Sequence, residues 1–256
     1  MRKTQKSRRF QALAQAVILA GGKGTRLRPL TDKIPKVMAP VCGRPFLSYL
    51  VGHLRDQGVQ EILLCVGYRS GQVRKYFKDG RKFGVRIRYS EEKRLRGTAG
   101  ALKKAEKMLD PVFLLLNGDT FLPISYARLE RFFTKERVIG GLVLTRNKGD
   151  DSAGGVSVGR DGLVSRYQKG SCRTGLGYLD AGVGIYKKEI LRLFPRKPVI
   201  SLEKDVYPVL IRRQVLAGCV SGKNFYDIGT PERLRLFEKK IERGMLPRAS
   251  VSGKKG

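Results

Sequence analysis

The chain has 256 residues, 41% of them hydrophobic, enough for one large domain with its own core, which sets intrinsic disorder aside. Its 53 lysines and arginines against 22 acidic residues give a formal charge of +31, a field that draws anions such as nucleotides, nucleic acid or anionic lipid. The cations are spread along the chain with no RNP-like, zinc-finger or KH pattern, and four cysteines (Cys42, Cys65, Cys172, Cys219) without C-x-x-C spacing beside a single histidine, His53, argue against a zinc site.

Residues 1–14 read as a basic tail, because Gln11 and Gln15 interrupt the apolar run a secretory leader needs. No apolar stretch reaches the length of a membrane span, so no integral membrane association is expected, and free thiols fit the reducing cytoplasm. Val17–Ala20 predicts a buried strand. Pro45 to Gln57 predicts a helix, with Phe46, Leu47, Leu50, Val51 and Leu54 on one face and Gly58 as its stop. A strand over Glu61–Gly67, a helix over Ser70–Lys78 and a strand over Val85–Tyr89 follow. Thr98 is expected to cap a helix reaching about Met108, before the apolar strand Val112–Asn117. A helix over Ser125–Thr134 and a strand over Val138–Thr145 complete the alternation.

The second half is richer in strands, at Gly154–Val158, Leu163–Gln168 and Tyr178–Tyr186. Ser201 begins a helix to Leu210, short strands lie near Val215–Val220 and Asn224–Tyr226, and Thr230-Pro231 opens a last helix ending near Gly244. The pattern predicts an α/β fold: a Rossmann-like, mostly parallel sheet with helices on both faces, joined to a smaller β-rich part. One domain is expected over 15–246, in parts of about 15–150 and 151–230, with a second basic tail at 247–256.

In an open parallel sheet, ligands bind at the carboxyl ends of the strands. The first strand ends in Gly21-Gly-Lys-Gly-Thr-Arg-Leu-Arg28, where glycines admit a phosphate to backbone N–H groups and Lys23, Arg26 and Arg28 add charge. The loop lacks the G-K-[ST] ending of a P-loop, and Leu27 occupies the last glycine position of the dinucleotide fingerprint.

Leu19–Thr31 resembles the L-A-G-G-x-G-T-R-L-x-P-L-T signature of the sugar-1-phosphate nucleotidyltransferases. The resemblance continues through Pro35-Lys-Val-Met-Ala-Pro-Val-Cys-Gly-Arg-Pro-Phe-Leu47, Gly97-Thr-Ala-Gly-Ala-Leu102, Asn117-Gly-Asp-Thr120 and Tyr226-Asp-Ile-Gly-Thr-Pro-Glu-Arg-Leu234. Five motifs in family order over roughly residues 15–243 make it specific. It implies that an NTP and a sugar 1-phosphate give an NDP-sugar and pyrophosphate, by in-line attack on the α-phosphorus, with catalysis by positioning and charge. The first part of the domain then holds the nucleotide and the second the sugar.

By the same resemblance, Asp119 and Asp227 bind Mg²⁺ as a carboxylate pair, while Arg26 and Lys36 hold the triphosphate; these four are the implied catalytic residues. Leu19, Ala20, Gly21, Gly22, Gly24 and Thr25 belong to the implied nucleotide site, with Gly97 and Thr98 from the segment closing over base and ribose. Lys169 aligns with a sugar-phosphate contact, beside Gln168 where the family usually has glutamate. Asp180 stands where the family usually has asparagine, and it accepts but does not donate as an amide does. Gly155 is expected to offer a backbone contact to the sugar. Glu203 and Asp205 are open between reaching the sugar and capping their own helix.

Within the family the resemblance favours guanylyltransferases acting on D-glycero-D-manno-heptose or mannose 1-phosphate, and hence GTP. UTP- or dTTP-dependent relatives share the core motifs and stay as the alternative substrate reading. A nucleic-acid-binding protein on the same fold stays as the alternative class, on the strength of the charge alone. A homo-oligomer is left open.

Overall fold

The computed structural model describes residues 15–126, 129, 137–147, 154–170 and 176–247. In chain order the first half holds β1 (Gln15–Ala20), β2 (Pro40–Val41), β3 (Arg44–Pro45), α1 (Phe46–Asp56), β4 (Glu61–Val66), α2 (Ser70–Phe77), β5 (Arg86–Glu91), α3 (Gly97–Lys104), β6 (Val112–Asn117) and β7 (Thr120–Phe121). The second half holds β8 (Gly140–Arg146), β9 (Gly154–Val158), β10 (Val164–Lys169), β11 (Tyr178–Lys187), α4 (Tyr207–Arg212), β12 (Leu216–Ser221), β13 (Tyr226–Asp227) and α5 (Pro231–Glu242).

Apolar runs such as those of β1 and β6 fit a sheet covered on both faces. β6, β1, β4 and β5 lie side by side in parallel, and Leu19 is level with Cys65 on one side and Asn117 on the other. The side chains alternate between two cores. Ala16, Ile18, Leu64 and Leu116 face one core with α1, α2 and α5, whereas Val17, Leu63 and Leu115 face the other with α3 and α4. The expected α/β sheet with helices on both faces is therefore present. Its β-rich half is a continuation of the same nine-stranded sheet: β11 runs antiparallel to β6, and β8, β9, β10 and β12 extend from it.

Several local expectations change. Thr98 is not a cap; it lies inside α3, which begins after Arg96. The segment expected as one helix from Ser201 is a wide turn at Leu202–Val206 followed by α4. Pro208, in the first turn of α4, donates no N–H and resets the helical repeat. Ser201 does cap, accepting from Lys204 N at 3.2 Å, and Thr230 caps α5 ahead of Pro231. The helix expected at Ser125–Thr134 lies mostly outside the described residues. Among the described residues, no helix is long and apolar enough to cross a membrane.

Packing of α5 matters for the site. Phe237 stacks edge-on against Phe46 at 4.9 Å between centroids and contacts Phe121 at 5.5 Å, tying α5 to α1 and β7. The N-terminus of α5, with the Asp227 segment before it, is thereby fixed against the carboxyl end of the sheet.

Candidate active site

Two cavities open at the carboxyl ends of β1, β4 and β6. The first, about 350 Å³, is lined by Leu19–Gly22, Lys36, Cys65, Glu92, Gly97, Thr98 and others. The second, about 380 Å³, is lined by Arg26, Gly155, Gln168, Asp180, Asp227, Arg233 and neighbours. Asn117, Asp119, Lys169 and Glu203 line both, so Asp119 stands at the seam.

Asp119 reaches this position through Gly118. A side chain there would meet the Leu19 carbonyl at 2.7 Å, and the Gly118 amide instead donates to that oxygen at 3.0 Å. Only glycine lets the chain turn across the end of β1. Lys36 Nζ donates to Asp119 Oδ2 at 2.5 Å, with the lysine largely buried. Asp227 arrives from a segment far away in sequence. β13 pairs antiparallel with β7, placing Asp227 opposite Thr120, and Ile228 N donates to the Asp119 carbonyl at 3.0 Å. Asp227 accepts from Gly229 N at 2.7 Å and from Arg233 Nη1 at 2.8 Å.

Arg26 lies in the second cavity beside Gly229 and Asp227, rather than in the first with the other expected nucleotide residues. Gly24 and Thr25 line neither cavity; Gly24 packs against the Lys36 side chain, and Thr25 starts a short 3₁₀ turn. Leu19, Ala20, Gly21, Gly22, Lys36, Gly97, Thr98 and Asp119 do come together around the first cavity.

Gly97 begins α3 with φ 78°, and a Cβ there would overlap the Ile200 carbonyl oxygen. That oxygen is already used, accepting from Ala99 N at 3.0 Å and Gly100 N at 3.2 Å. Gly97→Ala is expected to destabilise the protein by about 2 kcal/mol or more, through left-handed strain and backbone overlap. Thermal melts check this; a melting temperature within a degree of wild type would show that the segment relaxes freely.

Glu203 links the two cavities. It accepts from Thr98 Oγ1 at 3.1 Å, Ser201 Oγ at 2.6 Å and Lys169 Nζ at 2.6 Å. Desolvation raises its pKa, but the hydrogen bonds from Lys169 and Ser201 outweigh it and the net shift is downward. Asp205 accepts from Ser201 N at 2.7 Å and pairs with Lys197, so it is the capping member of the two. Thr98 also accepts from Leu202 N at 2.8 Å, which fastens α3 to this turn.

Asp180 accepts from Gly182 N at 2.9 Å and Tyr167 Oη at 3.1 Å. Desolvation lifts its pKa to about 6 from an ordinary 3.8, against those two hydrogen bonds. The fold thus favours the protonated acid, and the stability this lends is present below 3.8 and lost as pH rises through about 6. Asp180→Asn is expected to flatten that part of the stability profile. Urea midpoints from pH 4 to 8 test it, and an equal decline in both proteins would contradict it.

Glu92, just past β5, is 8% exposed and lines the first cavity beside Gly21. Its Oε1 is buried without a hydrogen-bond partner among the described residues. Desolvation raises its pKa, only partly offset by the amide and charge of Arg96 and by Lys104. Burial also pushes the Cys65 thiol, on the same wall, up to about 12, leaving it a neutral surface. Glu92, Asn117 and Arg233 line these cavities and were not singled out from the sequence. Nothing in Ser90-Glu91-Glu92 tells which of two adjacent acids is buried, and although Arg233 lies inside the Tyr226–Leu234 motif, nothing there marks its side chain for a cavity.

With this geometry in place, the comparisons define the class of protein. A family model described as nucleotidyl transferase matches residues 15–244, and the chain belongs to that family of enzymes. The chain is 34% identical over 218 residues to the D-glycero-alpha-D-manno-heptose 1-phosphate guanylyltransferase of Campylobacter jejuni, covering 85% of this chain and 96% of that protein. It is 29% identical to the mannose-1-phosphate guanylyltransferase of Mycobacterium tuberculosis, over 94% of this chain and 68% of the relative. Among solved structures, HddC from Yersinia pseudotuberculosis complexed with GMP-PN superposes with a TM-score of 0.77 at 30% identity, covering 89% of this chain and 99% of that one.

Proposed function

We propose that the protein joins GTP to a manno-configured sugar 1-phosphate, a heptose or mannose, giving a GDP-sugar and pyrophosphate in the cytoplasm. The observation that carries this reading is the meeting of two cavities at Asp119, the second of them edged by the cations Arg26, Lys169 and Arg233 and the polar groups Gln168 and Asp180. GTP is favoured by Glu92. Guanine alone among the common bases presents two adjacent donors, N1–H and N2–H₂, and a carboxylate is an acceptor-only partner for both. The named activities of the Campylobacter and Mycobacterium relatives support the same substrates.

Gly21 and Gly22 give the base and phosphates close access to backbone, and Lys36 neutralises the phosphates nearest the seam. Arg26, in the second cavity, is placed for the departing pyrophosphate or the entering phosphate. Lys169 holds the sugar phosphate, with Glu203 keeping its ammonium in place, while Asp180 and Gln168 contact sugar hydroxyls. The sugar-phosphate oxygen forms a bond to the α-phosphorus as the bond to the bridging oxygen breaks, and pyrophosphate leaves with the electron pair. Asp119 and Asp227, adjacent through β7 and β13, form an all-oxygen donor pair that suits Mg²⁺. When bound, the ion supplies charge neutralisation at the phosphate oxygens.

The test is pyrophosphate release with Mg²⁺, crossing GTP, UTP, dTTP and ATP with mannose, heptose, glucose and N-acetylglucosamine 1-phosphates. The highest kcat/KM is expected for GTP with mannose or heptose. A clear preference for UTP or dTTP would overturn the base assignment, and a preference for a gluco-configured sugar would overturn the sugar.

A further inference from the structure

Arg233, in the first turn of α5, donates from Nη1 to Asp227 Oδ2 at 2.8 Å and is one of the residues lining the second cavity, with Arg26 and Lys169. Its side chain is 45% exposed, against 19% for Asp227. Every acidic group at the seam carries a cation in the same way: Lys36 lies on Asp119 at 2.5 Å and Lys169 on Glu203 at 2.6 Å. Lys36 and Lys169 are already read as phosphate-binding groups with a carboxylate as resting partner. Arg233 repeats that arrangement on the carboxylate read as a metal ligand.

A guanidinium and a divalent cation compete for Asp227, because each is attracted to its oxygens and they repel one another. Gly229 N, the other partner of Asp227, is neutral and can stay. A guanidinium released by a metal ion would face the second cavity, and its planar fork matches phosphate oxygens in pairs. We propose that Arg233 binds the phosphate of the sugar 1-phosphate, and that it rests on Asp227 as a countercharge until metal takes that carboxylate. Its place in the second cavity with Lys169, the residue read as the sugar-phosphate contact, points to the sugar phosphate.

The inference rests on the function proposed above and makes two predictions of opposite sign. Arg233→Gln raises the KM for sugar 1-phosphate by about ten-fold or more, the scale of a charged hydrogen bond, with the KM for GTP within about two-fold. In protein without nucleotide, the same variant binds Mn²⁺ about three-fold tighter by electron paramagnetic resonance, because an exposed competing ion pair is gone. Arg233→Lys, which keeps the charge but not the fork, falls between wild type and glutamine in both readouts. A purely structural role at the start of α5 would weaken both together. An unchanged sugar-phosphate KM, or Mn²⁺ binding no tighter than wild type, overturns the assignment. Wild-type protein that binds no Mn²⁺ and gives no turnover overturns the parent reading, and this one with it.

Discussion

Asp119→Asn is expected to lower kcat by about a thousand-fold, the several kcal/mol that a bound metal's charge contributes to a phosphoryl transition state. Asp119 alone combines three properties: it lines both cavities, ends the central strand pair through Gly118, and sits opposite the Asp227 segment. Asparagine keeps the shape and still accepts a hydrogen bond from Lys36, so the fold and GTP affinity should hold. The loss should appear in kcat and in Mn²⁺ binding, with a melting temperature close to wild type. A variant with kcat within ten-fold of wild type would remove Asp119 from the chemistry and leave it a partner of Lys36 only.

Glu92→Gln is expected to lower kcat/KM for GTP by about a hundred-fold, the upper range for a hydrogen bond to a charged group. The amide keeps one acceptor and replaces the other with a donor, which meets the N2–H₂ group head-on. Inosine triphosphate, which lacks that amino group, separates a specific contact from general damage. Wild type should prefer GTP over ITP, whereas Glu92→Gln should lose the preference, since its amide NH₂ faces the N2 position, where guanine offers a second donor and hypoxanthine none. Equal loss on both nucleotides would show that Glu92 shapes the cavity without reading the base.

Most of the central sheet was legible because β1, β4 and β6 are apolar runs that stop at glycine, with Val112–Asn117 before Gly118 the plainest. The glycine loop and Asp119 were visible because they follow such strands, whereas the roles of Lys36 and Lys169 came through family resemblance. Asp227 was legible only through family resemblance, since the contact that delivers it, two residues of β7 against two of β13, is too short for any periodicity. Thr98 looked like a cap because threonine before a helix usually is one; Ile200 and Leu202 fold back over α3 and turn its hydroxyl into a tertiary contact. Glu203 and Asp205 are alike in sequence, and the wide turn at Leu202–Val206 decides which one faces the cavities. Arg26 was legible through its place in the Leu19–Thr31 signature, whereas Arg233 lies inside the Tyr226–Leu234 motif with no role marked, and only the placement of α5 beside the second cavity singles it out.

The most direct test of the central claim follows the α-phosphate of GTP. Purified protein is given α-³²P-GTP, Mg²⁺ and mannose or heptose 1-phosphate, and labelled product is resolved beside pyrophosphate. Label passing into a sugar nucleotide with one pyrophosphate per transfer, only when the sugar 1-phosphate is present and not in Asp119→Asn, is the predicted result. Label released as GMP without the sugar, or equal transfer by Asp119→Asn, would contradict it.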